Sequence, residues 1–163
     1  MAQPLLVQQI IEYMTTLPDL MEVYFRRGTR CLYLEYNEDW GIKAFFRKHH
    51  CYESFKTQHY LADYEFAPRT LGEPFKFQDY WCYITEIAQT LIDDDFYECF
   101  VTQIYSTEYD VRREAIDNTE DEYLQEIHTL QRKIEMETSI IVDDVHIGNV
   151  GKIGNRLVWL DFV

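Results

Sequence analysis

Positive charge is scarce in this chain: fifteen Lys and Arg stand against twenty-nine Asp and Glu, a formal charge of −14 over 163 residues. Such a surplus repels phosphate backbones and anionic lipid, so direct nucleic-acid binding and a membrane role are not expected, whereas a protein partner with a basic surface is. Cys31, Cys51, Cys82 and Cys99 form no CxxC pair and no Cys/His ligand spacing, which argues against a zinc site and for reduced, structural thiols. No apolar run approaches the ~18 residues needed to cross a bilayer. The opening MAQPLLVQQIIEYM lacks the basic start of a secretory leader, so the expected location is cytoplasmic, in the host if the source is viral. Internal repeats and low-complexity tracts are also missing.

What is abundant is apolar and aromatic: 47% hydrophobic residues, with thirteen Tyr and ten Phe. That composition supports a packed core and excludes intrinsic disorder. Leu6, Ile10, Tyr13 and Leu17, with Val7, Ile11 and Met14 beside them, recur at helical spacing between Pro4 and Pro18. MEVYFRRGTRCLYLEYNEDWGIKAFF is rich in β-branched and aromatic residues and broken by Gly28 and NEDWG, which predicts three short antiparallel strands, the third over residues 41–46. HHCYESFKTQHYLADYEF predicts a helix with Tyr52, Phe55 and either His59 or Ala62 on one face, stopped at Ala67-Pro68. YWCYITEIAQTLI reads as a further strand running into a connector. Helices are expected over residues 93–109 and 120–137, the second with a buried stripe of Tyr123, Ile127, Leu130 and Ile134. Two last strands, 150–153 and 156–160, meet at Gly154-Asn155, a hairpin pair.

Polar residues cluster around that hairpin. Asp144, His146 and Asn149 stand at the spacing D-x-H-x-x-N before it, and Asp161 follows it, so the returning strand can bring Asp161 beside Asn149. Oxygen donors gathered in this way suit Mg²⁺. A Lys on a third strand, a Glu on the next helix, D-x-H-x-x-N before a hairpin and Asp-Phe after it resemble the protein kinase and aminoglycoside phosphotransferase superfamily. The resemblance covers residues 28–163, and DVHIGNV…LVWLDF is its strongest motif.

The resemblance implies an α+β, kinase-like two-lobe fold. Residues 1–88 would form an N-terminal helix and a small lobe of antiparallel sheet with one helix. Residues 89–163 would form a reduced, mainly helical large lobe ending in the hairpin. It also implies ATP and Mg²⁺ as cofactors. Lys43, paired to Glu53, would hold nucleotide phosphates, and the backbone at Glu86 and Ala88 would meet adenine. Asp144 would be the catalytic base, Asn149 and Asp161 the metal ligands, and His146 a supporting residue.

The chain also departs from the pattern. The glycine-rich phosphate loop, G-x-G-x-x-G, is reduced to Gly28 within FRRGTRCLY. Val142 stands where the family has a histidine, and the sequence ends at Val163, one residue after Asp161-Phe162. The expectation is therefore a minimal form truncated after Asp-Phe, and two readings stand. One is an ATP- and Mg²⁺-dependent phosphotransferase acting on a hydroxyl. The other is a catalytically silent, acidic interaction protein, an inhibitor or decoy of phage or viral type, docking on the basic surface of a larger complex.

Overall fold

Leu6, Val7, Ile10 and Met14 repeat at the spacing of helical turns, and helix α1 (Ala2–Thr15) buries that stripe against one face of a β-sheet, joined by Leu17 just past its end, whereas Tyr13, expected in the stripe, is exposed. The computed structural model describes residues 2–27, 30–90, 122–142 and 149–162. They form an α+β fold in two compact units: Met1–Ala62 with Pro68–Ile87 and Phe162–Val163, and Asp63–Ala67 with Ala88–Asp161.

The first unit is built on a five-stranded antiparallel sheet in the order β1-β2-β3-β5-β4. Its strands are β1 (Arg26–Arg27), β2 (Cys31–Glu35), β3 (Trp40–Phe45), β4 (Thr70–Phe77) and β5 (Tyr80–Glu86). Asn37 closes the β2–β3 turn, its side-chain oxygen accepting from the backbone N–H groups of Asp39 and Trp40. Pleating then sorts the side chains. Leu32, Leu34, Ile42, Ala44, Cys82 and Ile84 point into the core under α1, joined by Leu20 of the one-turn helix α2 (Leu20–Val23). Phe45 and Tyr83 point the other way, onto helix α3 (Lys48–Asp63). The sheet is thus covered on both faces.

The third expected strand is present as β3, one residue earlier at each end. The face of α3 differs from the expectation. Cys51, Ser54, Phe55, Gln58 and Leu61 are buried, whereas Tyr52 and His59 are exposed. Counting aromatic residues favoured Tyr52, but the sheet accepts the stripe one position away, which includes two polar residues. The helix also stops before Pro68: it ends at Asp63, and Glu65 adopts φ +64°.

Strand β4 had no counterpart in the sequence reading, because Gly72 and Pro74 interrupt TLGEPFKF. As the outer strand of the sheet it tolerates both. The register slips between Leu71 and Phe75, Gly72 takes φ +67°, and Pro74 falls in the bulge where no ladder amide is required.

In the second unit, β6 (Gln89–Thr90), β7 (Val150–Ile153) and β8 (Arg156–Trp159) form a three-stranded antiparallel sheet. The expected hairpin is there, with Gly154 at φ +61° as the first turn residue. Helix α4 (Glu122–Thr138) buries Ile127, Leu130 and Ile134 of the predicted stripe, and the side chain of its fourth member, Tyr123, lies outside what is described. The predicted helix over residues 93–109 lies outside the described residues, as do Gly28 and Cys99. Among the described residues no helix is long and apolar enough to cross a membrane, and Cys51 and Cys82 are buried free thiols.

Candidate functional site

Alternation along β3 places Lys43 on the same face as Phe45, the face that α3 covers, between Tyr33 of β2 and Tyr83 of β5 in the register. A lysine there buries its stem among rings and presents its ammonium at the edge of the layer. Lys43 Nζ lies 3.5 Å from Gln58 Oε1, 4.6 Å from the centroid of the Phe162 ring and 5.8 Å from that of Tyr83. Phe162 follows Asp161 in the chain. Gly41, two residues before Lys43, leaves room for Tyr33: a Cβ there would meet the Tyr33 hydroxyl at 2.7 Å and the Leu34 carbonyl at 2.8 Å.

The hydrogen-bond partner of Lys43 on α3 is Gln58; the expected Glu53 does not fill that place. Glu53 is five residues from Gln58, about 140° around a helix turning 100° per residue, and it is solvent-exposed. The expectation chose the carboxylate nearest the helix start, but the face turned to the sheet is the one carrying Ser54 and Gln58.

Gln58 belongs to a buried polar network. Its Nε2 donates to the Pro68 carbonyl at 2.9 Å and to Thr85 Oγ1 at 2.7 Å. Its Oε1 accepts from the Tyr83 hydroxyl at 2.8 Å. Since that hydroxyl spends its proton on Gln58, Ser54 Oγ donates to Tyr83 at 2.8 Å. The Pro68 carbonyl can only accept, which fixes the orientation of the amide. Every polar atom of the Gln58 side chain therefore has a partner, as burial at 0% exposure demands. Sequence reasoning passed over Gln58 because a neutral amide carries no chemical signature; the clue was its place three and four residues from Ser54 and Phe55.

Glu86 ends β5 and holds Arg69 through two parallel contacts, Nε to Oε2 at 3.2 Å and Nη2 to Oε1 at 3.0 Å, which raise the Arg69 pKa. The Glu86 backbone N–H donates to the Arg69 carbonyl at 2.8 Å, and the next N–H, of Ile87, donates to the Asp39 carbonyl at 2.8 Å. Of the backbone expected to meet adenine, the Glu86 N–H is thus engaged within the first unit. Ala88 belongs to the second unit, with its Cβ in the space that Gly151 leaves open.

On the hairpin, the pairing of Val150 with Trp159 continues one step outward, where the Leu160 N–H donates to the Asn149 carbonyl at 2.8 Å. Asn149, 9% exposed, is therefore opposite Leu160 and one residue in register from Asp161, which is half-buried. The notional partner of Asn149 across the hairpin is thus Leu160, and pleating turns neighbouring Asp161 to the other face, so the register by itself does not pair the two oxygen-bearing side chains. Asp144 and His146 lie outside the described residues, and among the described residues no three His, Cys, Asp or Glu gather into a metal cluster. Just before that segment, the Val142 carbonyl accepts from Gln131 Nε2 of α4, both residues buried.

The second unit also contains a cleft of about 750 Å³, lined among others by Tyr64, Phe66, Lys133 and Arg156 and by none of the expected site residues. Compared with known proteins, the chain matches no family model, no curated protein and no solved structure. The kinase resemblance therefore stands on its residues alone.

Proposed function

We propose that this chain is a kinase-like nucleotide-binding protein in which Lys43 provides the positive charge for nucleotide phosphates. The supporting observation is the setting of Lys43: a half-buried lysine on an inner strand, hydrogen-bonded to a network-held amide and lying over the ring of the residue after Asp161. An ammonium held in this way acts as an oriented point charge, and phosphoryl transfer depends mainly on positioning and charge stabilisation. In this reading Asn149 and Asp161 hold Mg²⁺, and Asp144 accepts the proton of the attacking hydroxyl. When bound, Mg²⁺ neutralises charge on the β- and γ-phosphates. Gln58 takes the orienting role that the resemblance gives to a carboxylate.

Thermal unfolding with ATP or ADP, with and without Mg²⁺, tests this reading. Nucleotide at 100 times its Kd stabilises the native state by about 2.7 kcal/mol. The expected result is a rise in Tm that Lys43→Met abolishes. No rise with either nucleotide at millimolar concentration, in Mg²⁺ or Mn²⁺, discards the reading.

A second reading, the catalytically silent acidic interaction protein, is favoured by the formal charge of −14 and by the reduction of the glycine-rich phosphate loop to Gly28. Its partner carries a basic surface, so capture from lysate falls as salt rises. Salt-independent capture, or none, counts against it.

A further inference from the structure

The scarcity of positive charge is uneven. The first unit carries nine Lys and Arg against ten Asp and Glu, close to neutral, whereas the second carries six against nineteen. The acidity behind the whole-chain charge of −14 thus belongs almost entirely to the second unit and does not repel phosphate from the first.

Within the first unit, lysines gather around the exposed ring of Tyr52 and the half-buried ring of Trp81. Lys48, Tyr52 and Lys56 lie along one exposed stripe of α3 at steps of four residues. Trp81 of β5 meets Tyr52 edge to face, with centroids 6.2 Å apart. Lys48 Nζ lies 4.8 Å from the Trp81 centroid and 5.5 Å from that of Tyr52. Lys76, opposite Trp81 in the β4–β5 register, lies 5.7 Å from the same ring. Arg47 precedes the helix. His50 titrates below the ordinary histidine range through partial desolvation and the charges of His49, Arg30 and Arg47, with Glu53 opposing.

No acidic residue occupies the first turn of α3, although a helix N-terminus favours anions and is destabilised by cations. Helix stability does not account for this arrangement. Two properties narrow the ligand: clustered ammonium groups fit phosphates, and the exposed Tyr52 ring beside the half-buried Trp81 fits unstacked bases, which a duplex does not offer. An acidic polypeptide would use the lysines and leave the rings without a role.

We propose that this lysine–aromatic surface binds single-stranded nucleic acid, with Lys48, Lys56 and Lys76 contacting phosphates and Tyr52 and Trp81 stacking against bases. The proposal does not rest on the nucleotide reading of Lys43, and neither Lys43 nor the hairpin takes part in it. Stacking on Trp81 displaces a lysine from the ring face and frees its ammonium for a phosphate.

Fluorescence anisotropy of the full chain with labelled 20-nucleotide single strands tests it. Three phosphate contacts give a slope of about −2 in log affinity against log salt, so binding weakens about 20-fold between 50 and 200 mM salt. The Lys48→Glu/Lys76→Glu variant is expected to bind at least about tenfold more weakly with a flatter slope. Lys56→Glu alone lowers the slope by about 0.7, and serves if the double variant fails to give a native circular dichroism spectrum. Tyr52→Ala weakens binding to the oligonucleotide but not to inorganic polyphosphate. The proposal is overturned by no saturable binding at 50 mM salt, by duplex binding as tight as single-strand binding, or by polyglutamate competing as well as the oligonucleotide. That last result identifies an acidic protein partner.

Discussion

Replacing Gln58 by Leu keeps the volume of a buried side chain and removes every hydrogen bond it makes. Three of those bonds are short, to the Pro68 carbonyl, Thr85 Oγ1 and the Tyr83 hydroxyl. At about 1 kcal/mol net for each, their loss costs about 3 kcal/mol, and the buried Pro68 carbonyl left without its donor adds about 1 kcal/mol or more. The bond to Lys43 at 3.5 Å is too long to add much. Gln58→Leu is therefore expected to cost about 4 kcal/mol, read as a fall in the urea midpoint at constant m-value. Tyr83→Phe removes two bonds, those with Ser54 and Gln58, and is expected to cost about 2 kcal/mol. The two substitutions share one bond, so the double variant should cost about 1 kcal/mol less than their sum. A cost under about 1 kcal/mol for Gln58→Leu, or strict additivity, would refute the claim that this network holds α3 to the sheet.

A Cβ on residue 151 would come within 2.9 Å of Ala88 Cβ and 3.0 Å of the Gln89 carbonyl, so Gly151→Ala is expected to push β6 off β7 at a cost of about 1–3 kcal/mol. Amide hydrogen exchange at Lys152 reads it; unchanged protection counts against the close approach. Burial pushes the Cys51 thiol up to about 12 from 9.0, with Cys31 adding to the shift, and raises Cys82 as well. Because the folded value exceeds the unfolded one, this stability is complete below about pH 9 and lost as pH rises toward 12. Tm should therefore fall over that alkaline window, and Ellman's reagent at pH 8 should leave both thiols unlabelled until the chain unfolds. Rapid labelling of either thiol in the native chain contradicts their burial.

Much of the fold was legible where local rules agree. The stripes of α1 and α4 follow helical spacing, the β2–β3 turn follows from Asn37, and the last hairpin follows from Gly154-Asn155 with apolar runs on each side. Strand β4 was missed because glycine and proline read as breakers until their place on an outer strand is known. Of the expected site, the sequence pointed to Lys43 on its strand, and the hairpin register sets Asn149 opposite Leu160, one residue short of the expected Asp161. It mistook Glu53 for the partner of Lys43, since the charge of a residue is visible in a sequence and its rotation about a helix axis relative to a distant strand is not.

The sequence by itself determined the periods, turns and charge total of this protein, because each arises from residues adjacent or one helical turn apart. Only the tertiary structure decided that Gln58 meets Lys43, that Trp81 gathers lysines from α3 and β4, and that the first unit is nearly neutral. Gln58 with Lys43 and Trp81 with Lys48 join residues 15 and 33 apart, and which side chains meet depends on strand register and helix rotation, set by the packing of the whole sheet.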